Sequence, residues 1–282
     1  MGWGDLPTMG DVTKPPVGPL ISMSTSSVYP ESTSRAFAIA RELGFDAVEV
    51  MVGMDATSTD VDALKRLRDY HEVPIGSIHA PTLLLTQRTW GPDPWDKLER
   101  SADAAVRLGA SVVVVHPPFR WQRSYAAAFT AGVRQLHQAT GVVFAVENMF
   151  PWRGPRGAEV RAYAPSWDPS ELDLDHLTLD MSHAATARQQ SLDLIDAWGD
   201  RLAHVHLTDG LDGTSDQHLL PGAGNQRADE VLARLAATGF PGQVVLEVKT
   251  NNADFPGQRG GQLAAALEFA RTHTRLPQGD PR

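Results

Sequence analysis

Short apolar runs alternate with longer amphipathic stretches along nearly the whole chain. The runs fall at residues 20–24, 47–51, 75–79, 111–116, 142–147, 177–180, 203–207 and 244–248, and each is short and apolar enough to predict a strand. Between them, apolar positions recurring every three to four residues predict helices near 31–43, 59–71, 94–108, 124–140, 192–198, 228–238 and 262–272. The fourth run, SVVVVH, is almost wholly β-branched and predicts a strand buried on both faces. One stretch breaks the rhythm. Residues 148–170 carry Pro, Gly, Trp and Arg where a helix is due, and they read as a loop insertion over a site.

Strand–helix alternation predicts a parallel sheet, hence the α/β class. Eight such units in about 250 residues fit a (β/α)8 TIM barrel. A doubly wound open sheet is the alternative, but no Gly-rich phosphate fingerprint follows the first strand. The expected layout is a flexible Gly/Pro-rich tail over 1–18, a single barrel domain over 19–274, and a polar tail over 275–282.

Composition narrows the chemistry. The chain has 282 residues, 42% of them hydrophobic, enough for one large α/β barrel or two ordinary domains. Its formal net charge of −9 advertises no general nucleic-acid surface. With no cysteine, disulfides and thiolate metal sites are excluded, and the chain suits a reducing cytoplasm. No apolar stretch reaches the roughly 18 residues of a membrane span, and the first residues lack the apolar core of a signal peptide.

Six of the predicted strands end in a residue able to bind a metal: His79, His116, Glu147, Asp180, His206 and Glu247. Three more stand in the loops beyond, His183, Asp216 and His218. In a barrel all carboxyl strand ends face one mouth, so these side chains converge. One such residue alone reads as a hydrogen-bonded structural group, and Asp180 alone as a helix cap. Taken together, with half of the ten histidines in the set, they predict a metal centre of nitrogen and oxygen donors.

The segments SIHAP, VVHPP, AVENM, LDMSH, HVHLTDG and VLEVKT resemble strand ends of the xylose-isomerase-like TIM barrels. That family includes sugar isomerases and epimerases and the endonuclease IV type of apurinic-site nucleases (AP endonuclease family 2). The resemblance runs from about residue 20 to 272. It implies one divalent ion on Glu147, Asp180, His206 and Glu247. His79, His116, His183, Asp216 and His218, with DQHLLPGAG, resemble the endonuclease branch. There His79 and His116 would hold an ion bridged by Glu147, and His183, Asp216 and His218 a third. One to three ions of zinc, manganese or iron are thus implied.

The early loops, STSSVYPES and MVGMDATST, depart from that branch's DNA-binding pattern, and Asp209-Gly210-Leu211 replaces an expected basic residue. Loop cations are few: Arg88, Arg120, Arg123, Arg153 and Arg156. DNA is therefore a doubtful partner, and a small sugar or phosphoester the expected one. Arg120, Trp121, Trp152 and Arg153 flank His116 and Glu147, where aromatic rings and guanidinium groups suit a sugar and an anion. Rim packing by the tryptophans with surface ion pairs from the arginines explains them equally well.

Two functions follow. The first is a metal-dependent sugar or sugar-phosphate isomerase or epimerase, with Glu147 and Glu247 moving the proton and His183 on a substrate hydroxyl. The second is trinuclear phosphoester hydrolysis. The first ranks ahead for substrate class, the second accounts for more ligands, and a non-enzymatic scaffold comes third.

Overall fold

A computed structural model describes residues 18–275, apart from Met54, Leu83, 154–157, Thr214 and 251–256. The predicted tails, bar Gly18 and Arg275, lie outside these residues, as does Arg156. Eight parallel strands close into a barrel: β1 (Leu20–Ser24), β2 (Ala47–Met51), β3 (Ile75–His79), β4 (Val112–Val115), β5 (Val143–Glu147), β8 (Leu177–Asp180), β9 (Leu202–Leu207) and β10 (Gln243–Leu246). Their order around the ring is β1-β10-β9-β8-β5-β4-β3-β2, sequential but for the ribbon of β6 (Trp152–Arg153) and β7 (Glu159–Val160). Every predicted strand is present within a residue or two. Glu247 and His116 stand one residue beyond their strands rather than inside them.

The helices that cover the barrel start and stop on local chemistry. α1 (Thr33–Leu43) begins at the Ser32 cap, and α2 (Ala56–Thr59) and α3 (Val61–His71) at Asp55 and Asp60. α4 (Pro94–Leu108) has Asp93 as cap and Pro94 at its first turn. α5 (Arg123–Thr140), α7 (Ser191–Trp198), α8 (Ala228–Ala237) and α9 (Gln258–His273) match the periodic stretches. Two short elements do not. The pattern predicts neither α2 nor α6 (Met181–Ala187), because each is too short to display a periodic face. The irregular stretch after β5 is likewise only partly a loop. It carries the antiparallel β6–β7 ribbon, tied to the loop after β4 by a bridge between Phe119 and Tyr163.

Strand alternation sorts side chains into two cores. Outward positions such as Met23, Val50, Ile78, Val113, Val115, Phe144, Leu179, Val205 and Leu246 join the helix faces in one apolar layer, all fully or almost fully buried. Inward positions are different. A small apolar patch of Val112, Val114 and Ala145 lies inside, but polar groups share the interior. Near the amino ends, Gln243 reaches across the barrel to the Gly76 carbonyl, and the Ser22 hydroxyl donates to it. A Cβ at Gly76 would lie 2.0 Å from Gln243 Oε1, so a larger residue there would have to displace that amide from its hydrogen bonds. Buried polar groups are tolerable only when paired. The barrel's interior is thus a polar column that rises to the mouth, where the metal-ligating residue types stand.

Candidate metal centre

Glu147 is the hub of the mouth. Its Oε2 lies 2.9 Å from His116 Nε2 and 3.3 Å from His79 Nε2, while Oε1 lies 3.2 Å from both His206 Nδ1 and His183 Nδ1. Around His206 Nδ1 three carboxylates gather: Glu247 Oε2 at 3.0 Å, Glu147 Oε1 at 3.2 Å and Asp180 Oδ2 at 3.5 Å. On the more open side, Asp216 Oδ2 lies 2.7 Å from His218 Nε2 and 3.7 Å from His183 Nε2. All nine residues expected from the sequence therefore meet at one rim.

Local structure sets each of them. Asp180 ends β8 and caps α6, accepting the His183 N–H on Oδ1 at 2.7 Å, which fixes His183 one turn away. The loop after β9 is folded back by Asp209, whose carboxylate takes the N–H groups of Gly210, Gln226 and Gly222. Ser182 then receives the N–H groups of Gln217 and His218 and donates to Asp216 Oδ1 at 2.6 Å. Lys249 Nζ closes the same loop on the Asp216 carbonyl. His218 Nδ1 faces the Glu247 carbonyl oxygen at 2.8 Å and His79 Nδ1 the Ala80 oxygen at 3.2 Å, so each can point Nε2 into the centre.

The electrostatics follow from crowding buried carboxylates against imidazoles. Burial raises the carboxyl groups, but the histidines outweigh it for Glu147 and Asp216, which stay well below the usual range, and for Asp180, which is lowered. Glu247 goes the other way, because burial outweighs its neighbours His206, His218 and His79. Burial lowers imidazole pKa values, yet the carboxylates hold His206 and His183 well above normal and lift His218 to about 9. For His116 burial wins, and its pKa falls.

Three overlapping groups in this set, His79 with His116 and Glu147, Glu147 with Asp180 and His206, and Asp180 with His183 and His218, bring donor atoms within 4.8 Å of one another. Glu147 Oε2 and Asp180 Oδ2 are buried, with imidazole nitrogens at 2.9 to 3.5 Å as their nearest partners. A cation among these donors would offset the burial of the carboxylate charges. The donor set fits a divalent ion. The chain belongs to the xylose isomerase-like TIM barrel family, matching it over residues 37–273. An uncharacterised protein of Mycobacterium tuberculosis is 46% identical over 271 residues, covering 90% of this chain and 97% of that protein. Fructoselysine 3-epimerase of Escherichia coli is 22% identical over 268 residues, covering 87% and 94% of the two chains. Among solved structures, a xylose isomerase domain protein from Alicyclobacillus acidocaldarius superposes with a TM-score of 0.67 at 19% identity, over 90% of this chain and 98% of that one. A D-allulose 3-epimerase from Methylomonas, in complex with D-allulose, gives 0.62 at 18% identity over 92% and 98%. These last likenesses establish the shared fold.

The flanking aromatics and arginines divide. Trp121 is 55% exposed and stacks on Phe119 at 4.5 Å with rings nearly parallel. Trp152 is half-buried in the cluster of Phe119, Met149, Ala162 and Tyr163. Arg153 spends its guanidinium on the Gly213 and Thr186 carbonyls, strapping the ribbon to the loop after β9 and to α6 itself. Arg120 is exposed, with its backbone N–H on the Ala162 carbonyl. A cavity of about 280 Å³ opens beside Glu247 and His218, lined also by Ser26, Tyr29, Lys249 and Thr250. Sequence reading named none of these last four. It also passed over Glu49 and His204, mid-strand residues with no exposed surface. Their signal was a charged or ionisable residue inside AVEVM and LAHVHL, strands otherwise apolar enough to be fully buried.

No helix among the described residues is long and apolar enough to cross a membrane.

Proposed function

We propose that the protein is a divalent-metal-dependent epimerase or isomerase of a small sugar, acting at the carbon beside a carbonyl. The carrying observation is that Glu147 and Glu247 flank one nitrogen, His206 Nδ1, at 3.2 and 3.0 Å while their environments push their acidities apart. Two carboxyl groups tuned in opposite directions are the arrangement from which one takes a proton and the other gives it. Glu147, held ionised by its histidines, is the acceptor; Glu247, raised by burial, is the donor.

Glu147, Asp180, His206 and Glu247 would hold the ion, which when bound polarises substrate oxygens and lowers the barrier to removing the neighbouring proton. His183, donating from Nδ1 toward the Asn148 carbonyl at 2.9 Å, keeps Nε2 toward the mouth for a substrate hydroxyl. The cavity beside Glu247 suits a molecule of monosaccharide size, with Tyr29 and Lys249 on its wall. The epimerase names of the E. coli and Methylomonas relatives support the same class.

Incubating the metal-loaded protein with a panel of ketoses in deuterium oxide tests this reading. Solvent deuterium should appear at the carbon next to the carbonyl, and Glu147→Gln should abolish its appearance. Absence of exchange in every ketose and keto-sugar overturns it.

A second reading, phosphoester hydrolysis by a three-ion cluster, is favoured by one specific observation. His183, Asp216 and His218 converge with Asp180, giving more donors than a single ion coordinates. Metal content separates the two: about one ion per chain supports isomerisation, and about three supports hydrolysis. An abasic oligonucleotide left intact removes the nuclease form.

A further inference from the structure

Beneath the centre lies a buried carboxylate for which the proposed chemistry has no use. Glu49, on β2, has no exposed surface, nor do Ser77, His204 and His206 around it. Its Oε1 lies 3.1 Å from His206 Nε2. Its Oε2 is 2.9 Å from His204 Nε2 and accepts the Ser77 hydroxyl at 2.8 Å. The residue thus rests on two other strands, β3 through Ser77 and β9 through both histidines.

The geometry at His206 makes this more than packing. A neutral imidazole has one proton and two nitrogens. Nδ1 faces the oxygens of Glu147, Asp180 and Glu247, so as a ligand it must present a lone pair there. The proton then belongs on Nε2, and Glu49 Oε1 is the acceptor that receives it. Because His204 and Ser77 hold the other oxygen, Oε1 is a fixed point rather than a swinging group. The β2–β3 register shifts between Val48 and Glu49, an irregularity of the sort that re-aims a side chain in a barrel wall.

Resting on the metal centre proposed above, we infer that Glu49 is the positioning residue for the ion held by His206, fixing that ring's proton on Nε2 and its orientation toward the three carboxylates. His204 and Ser77 are the fixture that holds Glu49. Such outer carboxylates strengthen binding by about 10- to 100-fold.

Cobalt(II) titration against a competing chelator, followed by visible absorption, tests this on the full chain. His206→Ala and His218→Ala first mark which binding step and which absorption bands belong to each side of the centre. Glu49→Gln should weaken the step that His206→Ala removes by about 10- to 100-fold and alter its bands, leaving the step sensitive to His218→Ala in place. Ser77→Ala, which frees one oxygen of the carboxylate but leaves its charge, should produce a smaller loss at the same step. Wild-type protein that binds no cobalt would overturn the metal centre itself, and this inference with it. Wild-type binding with an unchanged Glu49→Gln isotherm overturns the role of Glu49 alone. If Glu49→Gln weakens all steps together because it unfolds, Ser77→Ala decides, and an unchanged isotherm in that folded variant overturns the inference.

Discussion

The Asp180 carboxylate caps His183 with one oxygen, accepting its backbone N–H at 2.7 Å, and turns the other, buried, toward His206 Nδ1 at 3.5 Å in the candidate metal centre. A helix cap and a proposed metal ligand are combined in one side chain. The two roles separate by substitution. Asp180→Asn keeps a good cap and loses the anionic ligand, so metal affinity should fall at least 100-fold while the start of α6 is retained. Asp180→Ala loses both, adding about 1 kcal/mol of destabilisation from the cap. Chelator competition and thermal melts of the two variants check the split; equal stability in both would deny the cap.

Acidity at the mouth gives a pH prediction. In metal-stripped protein, His218 titrates near 9 and His183 and His206 well above their normal value of 6.5, because the neighbouring carboxylates outweigh burial. Folded values above unfolded ones stabilise the fold fully below about pH 6.5, and that contribution is lost as pH rises through about 9. The ion reverses the preference, since a ligating imidazole must be neutral. Apparent metal affinity should therefore climb as pH rises from about 6.5 to 9, with protons released on binding. Melts of chelator-treated protein and isothermal titrations in buffers of different ionisation enthalpy would show it; pH-independent affinity would contradict it.

Gly224 is a packing requirement of the loop that delivers Asp216 and His218. A Cβ there would lie 2.3 Å from both Asp209 Oδ1 and the Gly210 carbonyl oxygen. The Asp209 carboxylate is already fixed by three backbone N–H groups, so neither neighbour can retreat. Gly224→Ala should cost about 1–3 kcal/mol. It should also weaken the His218-dependent metal step before that of His206. A wild-type melting temperature would refute the crowding.

Trp121 offers its face to solvent from its stack on Phe119. If it is a platform for the substrate ring, Trp121→Ala should raise KM several-fold with kcat retained. Removing so exposed a side chain should change stability by about 0.5 kcal/mol at most. Unchanged KM with lowered stability would assign Trp121 to rim packing instead.

The eight strands were legible because each is a short apolar run closed by a Pro, Gly or polar residue, and their alternation with periodic helices admits few architectures. That the six candidate residues at strand ends would meet was legible for the same reason. A barrel sends every carboxyl strand end to one rim, so position along a strand substitutes for a coordinate. Short elements were not legible. α6 starts at the Asp180 cap, and the β6–β7 ribbon is two residues per strand, followed by the bridge from Tyr163 to Phe119. Neither leaves a periodic trace.

What the sequence by itself determined is the closed ring of strand–helix units and the side chains it aims at the mouth, since these depend on local pattern and chain order alone. Only the tertiary structure decided how those side chains divide, which nitrogen of His206 faces the carboxylates, and that Glu49 and His204 stand beneath it. Those facts depend on which inward positions of strands distant in the chain come level with one another. That level is fixed by the stagger of the closed barrel, to which residues within any one strand carry no local clue.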